Sequence, residues 1–106
     1  MKLIDKVQFV QVDEGVGIGA PEEYLPMTQL MEDLTYPKTW TEIIEHLRAG
    51  QDFGTGGDGY WISIKGDKVR FENQVDESDM VEVGRTEFLP VAEAYLRELT
   101  AVGRKK

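Results

Sequence analysis

The segment YWISIKGDKVRFEN, residues 60–73, constrains this fold more than any other stretch because it permits one good strand pairing. Gly66-Asp67 has the composition of a two-residue hairpin turn. With the chain reversing there, Ile64 opposes Val69, Ile62 opposes Phe71 and Tyr60 opposes Asn73, which gives one largely apolar face. The other face pairs Ser63 with Arg70 and Trp61 with Glu72. A slip of one residue would mix the faces, so side-chain chemistry alone specifies the register. Lys65 opposite Lys68 is a mild like-charge cost.

Two amphipathic helices flank this region. In the first, Trp40, Ile43, Ile44 and Leu47 recur at helical spacing and predict one buried stripe over residues 40–49. Thr39 and Glu42 fit a capping box, Arg48 suits the last turn, and Gly50 suits a left-handed C′ position. The second is predicted over residues 87–101, with Phe88, Val91, Ala92, Tyr95, Leu96 and Leu99 on one side. Thr86 is its expected N-cap and Pro90 falls at the end of its first turn, a placement that leaves its start open by several residues. Gly103 is expected to end it, ahead of a basic tail of Arg104, Lys105 and Lys106.

The remaining segments are less marked. Residues 1–13 alternate and read as a strand, with Val7 and Phe9 on one parity and Val10 and Val12 on the other, so its buried face is open. Gly15, Gly17 and Gly19 break that pattern and predict a loop through Pro21 and Pro26. Residues 27–34 fit either a short strand or a helical turn. A third strand over residues 81–84 follows a five-residue loop that pairs Val75 with Val81 and Asn73 with Val83, leaving Met80 at the loop tip or in a bulge. The order predicts a single α+β domain over residues 1–106, an antiparallel meander of about four strands with two helices packed on one face.

Leu, Ile, Val and Phe make up about a quarter of the 106 residues, enough for one core. Twenty acidic side chains against twelve basic ones give a net charge of −8, a field that repels nucleic acid and anionic membranes and attracts basic partners. Solubility alone accounts for such a charge equally well. Lack of cysteine excludes disulfides, thiolate metal sites and a cysteine nucleophile, and is compatible with either redox compartment. The N-terminal MKLIDKVQFVQVDEG has acids where a signal peptide needs an apolar core, and no apolar run approaches spanning length. A cytoplasmic protein without membrane contact is expected.

Catalytic and ligand signatures are weak. GTGGDG, residues 54–59, lacks the Lys-Ser/Thr of a phosphate loop and leads into a strand, so it is expected to be a flexible acidic connector. The spacing of Asp52 and Asp58 does not match a calcium loop, and the Asp76-Glu77-Ser78-Asp79 run reads as a solvated turn. His46, the one histidine, is expected to be exposed, and no triad is recognisable. Neither a metal nor a cofactor nor nucleic-acid binding is expected. Trp61 carries more information. Its parity places it among charges on the outer hairpin face, either as an interface anchor or covered by residues 1–12 or 27–34. The candidate partner-binding set is Asp52, Asp58, Tyr60, Trp61, Glu72, Asp76, Glu77, Asp79 and Met80.

GTGGDGYWISI (residues 54–64), DESDM (76–80) and VEVGRTEFLPVAEAYL (81–96), in a small acidic cysteine-free α+β chain, resemble the immunity proteins of bacterial toxin systems, of the polymorphic-toxin and contact-dependent inhibition type. That resemblance implies a non-enzymatic inhibitor of a cognate toxin, with a basic nuclease domain as the partner. An acidic interaction or regulatory module, monomeric or homodimeric through the outer hairpin face, is the alternative. A small carboxylate-based enzyme is the third.

Overall fold

The computed structural model describes residues 2–13 and 15–104. Strands β4 (Tyr60–Lys65) and β5 (Lys68–Asn73) form the expected hairpin in the expected register, pair for pair from Tyr60 with Asn73 to Lys65 with Lys68. Gly66 takes φ +56°, the left-handed backbone such a turn requires. β3 (Phe53–Gly56) adds to one edge and β6 (Met80–Gly84) to the other, giving the antiparallel order β3-β4-β5-β6. The fold is α+β. The first half of the glycine-rich stretch is therefore strand and not a loose connector, because Gly54 and Gly56 pair with Ser63 and Trp61, while residues 57–59 form the loop into β4.

β6 is reached by a longer loop than expected. Val81 pairs with Phe71 and Val83 with Val69, each partner four residues earlier than the sequence suggests. Asn73 is the cause. Its side-chain oxygen accepts the Val75 and Asp76 backbone N–H groups at 2.8 and 3.0 Å, which ends β5 and turns residues 74–79 into a loop. The shift is even, so Val83 stays buried and Val81 half-buried on the core side, while Val75 is 95% exposed. Met80 is neither a loop tip nor a bulge but the first residue of β6, opposite Glu72.

Ile62, Ile64, Val69, Phe71 and Val83 cover one face of this sheet, against α1 (Leu25–Asp33) and α3 (Arg85–Arg104). α2 (Pro37–Ala49) packs on α3 and presents Trp40, Ile43, Ile44 and Leu47 to the core as the spacing predicts. Gly50 closes it at φ +70°. The capping box is not formed: the helix begins three residues earlier, at Pro37, whose ring presets the first helical φ. Thr39 thus lies inside the first turn. Helical structure settles residues 27–33 as part of α1, with Leu34 as its C-cap. α3 starts at Arg85, directly after β6, so Thr86 is within the helix and Pro90 lies in its second turn, where the Thr86 carbonyl loses its helical donor. The helix continues through Gly103 to Arg104; the basic tail concerns side chains outside the described set.

A second, two-stranded sheet joins β1 (Gln8–Val12) and β2 (Gly15–Gly19), with Val10 opposite Gly17. The expected N-terminal strand is shorter than residues 1–13, since a 3-10 turn occupies Leu3–Lys6. The glycines do not end it but form its partner, since alternation places Val16 and Ile18 on the inner side. Phe9 packs inward on Tyr95 at 5.9 Å, and Val10 and Val12 face out.

The core is aromatic at its centre. Tyr95 meets Trp40 edge-on at 5.2 Å, and Phe88 bridges Trp40 and Phe71 at 6.2 and 5.0 Å. Both polar handles in this cluster find carbonyls at the end of α1: Trp40 Nε1–H donates to Leu34 at 2.5 Å and the Tyr95 hydroxyl to Met31 at 2.6 Å. Arg85 does the same for α2. Its buried guanidinium donates to the carbonyls of His46, Leu47 and Gln51 and, through Nε, to Gly66 at 2.6 Å. Its backbone N–H donates to Asp67.

Replacing Arg85 with Met keeps the stem but orphans these carbonyls, so unfolding in urea should show a loss of about 2–4 kcal/mol, partly restored by Arg85→Lys. Burial pushes the Tyr95 hydroxyl up to about 12 from its ordinary value of 10.0. Its neutral form is favoured by folding, so this contribution is complete below pH ~10 and is lost as pH rises towards ~12. Thermal melts across that window should show the wild type losing stability more steeply than Tyr95→Phe.

Candidate protein-interaction site

Register converts the outer face of the large sheet into ordered rows. One row runs Gly56, Trp61, Glu72, Met80; the next runs Gly54, Ser63, Arg70, Glu82; the third carries Lys65 and Lys68. The face is thus polarised along the strands. Its basic end lies at the Gly66 turn, and its aromatic and acidic end lies at the loops 57–59 and 74–79.

Trp61 explains the glycines. A Cβ on Gly56 would lie 2.3 Å from Trp61 Cε3, and one on Gly54 would lie 3.2 Å from its Nε1. Contacts at both sides of the indole lay the ring flat across β3, a shelf that only side-chain-free residues provide. Neither residues 2–12 nor 27–34 enclose it, and Trp61 remains 42% exposed. Gly57 serves a different contact, because a Cβ there would sit 2.7 Å from Asp33 Cβ at the end of α1.

The loops beside Trp61 are tied together. Gln74 donates its backbone N–H to Gly59 and its side-chain amide to the carbonyls of Gly57 and Tyr60. The Asp79 carboxylate accepts from the Tyr60 hydroxyl at 2.6 Å and from the Asn73 amide at 3.2 Å. The first bond holds the Tyr60 hydroxyl above its ordinary pKa. Asp76 accepts from the Ser78 hydroxyl at 2.6 Å and from its backbone N–H, and these bonds hold its carboxyl below the usual range. Loop 74–79 is therefore ordered by its own polar groups.

The structure brings together Asp58, Trp61, Glu72, Asp76, Glu77, Asp79 and Met80 at this end of the sheet. Asp52 does not join them: it lies at the opposite end, where its carboxylate accepts the Gly66 N–H at 3.2 Å. Tyr60 is on the core face of β4, half-buried, and holds Asp79. Two residues at the site escape a reading of the sequence. Asp33 arrives from α1 and bears on Tyr60 electrostatically. Val75 is presented outward beside Asp76; the Asn73 side chain, a good acceptor for the next backbone N–H groups, is the available signal for it.

Elsewhere, His46 is not free in solvent but stacks on Phe53 at 4.3 Å, with Nδ1 2.7 Å from the Glu42 carbonyl oxygen. A groove of about 280 Å³ separates α2 from α3, bridged by the Arg48–Glu93 ion pair. Among the described residues no group of His, Asp and Glu has metal-binding geometry, and no helix is long and apolar enough to cross a membrane. No protein-family model, curated protein or solved structure matches the chain.

The glycine shelf is testable by a double-mutant cycle. Gly56→Ala should cost on the order of 1–3 kcal/mol in the wild type and much less in a Trp61→Ala background, because the two closest approaches are to that ring and the third neighbour, Gln74 Nε2 at 3.1 Å, is the end of a flexible side chain. Urea unfolding of the four proteins measures the coupling.

Proposed function

We propose that this chain is a stoichiometric binding protein that captures a basic protein partner at the Trp61–Val75 end of its sheet, acting as an immunity protein that neutralises a toxin, with a basic nuclease domain as the expected target. The observation that carries this reading is Val75, 95% exposed on a loop whose backbone is held by Asn73, Asp76 and Asp79. An apolar side chain so displayed gains nothing for the isolated fold. It is suited to burial in a partner, and the prior ordering of the loop lowers the entropy lost on binding. Asp58, Asp76 and Glu77 surround it with negative charge that accelerates encounter with a basic surface, while Trp61, Val75 and Met80 supply contacts that slow release.

The polarised outer face supports a second reading. Turned through a two-fold axis across the strands, its Lys65–Lys68 end would meet the Trp61–Glu72 end of another copy, so a homodimer has charge complementarity of its own.

The toxin reading expects a gene for a larger secreted protein beside this one. Its product should co-purify with this chain at one-to-one and lose its activity in the complex. Asp58→Lys with Glu77→Lys should slow association about tenfold or more at low salt, with the difference shrinking as salt rises. Val75→Asp should act instead on the dissociation rate. Elution at twice the chain mass, with no binding to the neighbouring product, would replace the toxin reading with the homodimer.

A further inference from the structure

Trp61 and Glu72 are paired directly across β4 and β5, and each has an unused capacity. The indole rests one face on Gly54 and Gly56, leaving the opposite face outward, and its Nε1–H has no acceptor among the described residues. Glu72 is half-buried, yet the only ion pair among the described residues is Arg48–Glu93. No described residue fills the position. Arg70 shares this face but pairs with neither Glu72 nor Glu82, and among the described residues the only cation over an aromatic ring is Lys6 over Tyr24. Met80 flanks Glu72 on its other side.

A flat aromatic face, a carboxylate one cross-strand step of about 5 Å away, and a thioether beyond it match one side-chain chemistry. We infer that the Trp61–Glu72–Met80 row receives an arginine side chain of the protein partner. The guanidinium plane stacks on the indole, its N–H groups donate to the Glu72 carboxylate, and the methylene stem crosses Met80. An ammonium fits less well, because it is a strongly hydrated point charge that cannot stack as a plane. This inference rests on the proposal that this end of the sheet docks a basic protein, and it adds which side chain anchors there.

An acetylated hexa-arginine peptide and its hexa-lysine counterpart, titrated into the full chain at low salt, test it. The readout is the two indole N–H resonances in a nitrogen–proton correlation spectrum. The Trp61 signal should shift and saturate with the arginine peptide, while that of Trp40, buried and bonded to Leu34, stays in place. Affinity for the arginine peptide should exceed that for the lysine peptide by about fivefold or more. Glu72→Gln, a surface change that leaves the shelf intact, should remove most of that preference, and Trp61→Leu should do the same. If the Trp61 signal is unmoved while Val75 and Glu77 amides shift, the arginine site is overturned and the acidic docking surface stands. Equal affinity for the two peptides also overturns it. If no resonance responds to either peptide, both the arginine site and the basic-partner reading fall.

Discussion

The carbonyl groups that end α1 and α2 point into the protein, away from water, and the architecture depends on the side chains that reach them. A helix leaves its last carbonyls without internal donors, and burying them unpaired costs more than most single contacts return. Here the donors come from other elements. Trp40 and Tyr95, on α2 and α3, close the end of α1, and Arg85 closes the end of α2. Arg85 also bonds the Gly66 carbonyl. One cation therefore joins α2, the β4–β5 turn and the first turn of α3. Among the described residues it has no carboxylate partner in this role: four carbonyl dipoles and the negative end of a helix stand in for a counter-charge.

That junction lies at the basic end of the sheet, far from Trp61, and the separation has a functional consequence. The end that holds the fold together can be rigid while the opposite end is given to display. At the display end the polar groups satisfy one another locally, through Asn73, Asp76, Ser78 and Asp79, so the loop keeps its shape without drawing on the core. Trp61 follows the same logic, stabilised from beneath by two glycines of its own sheet and left open above. A surface of this kind meets a partner with little reorganisation, the condition under which modest contact area still gives tight binding.

Much of this was legible in the residues. The β4–β5 register followed from alternation and the Gly66-Asp67 turn, because both signals are local and a one-residue slip would invert every side chain. The buried stripe of α2 followed for the same reason. The β6 register did not, since pairing two valines with the core face leaves any even shift equally acceptable, and the choice fell to an Asn73 side chain acting on the backbone. The start of α2 is not legible either, because Thr39 and Glu42 match a capping pattern that Pro37 pre-empts. Within the candidate site, parity places Trp61 and Glu72 on the outer face, whereas Met80 reaches it as a strand residue and not as the expected loop tip, and Asp52 groups with them only because sequence proximity to Asp58 conceals which end of a strand each occupies.

By itself the sequence determined the α+β class, the hairpin and its two faces, the buried stripes of the helices, and a strongly acidic charge. These depend on spacing along a single element or on composition, where each residue's chemistry acts on its near neighbours. Tertiary structure alone decided that the alternating glycines of β2 form a strand, that Gly54 and Gly56 make a shelf, that Arg85 is buried, that Asp33 meets Gly57, and that Val75 stands exposed. Each is set by a contact between segments far apart in the chain. Such a contact leaves no periodic trace, because what selects it is the space and the unpaired polar groups that the assembled elements leave to one another.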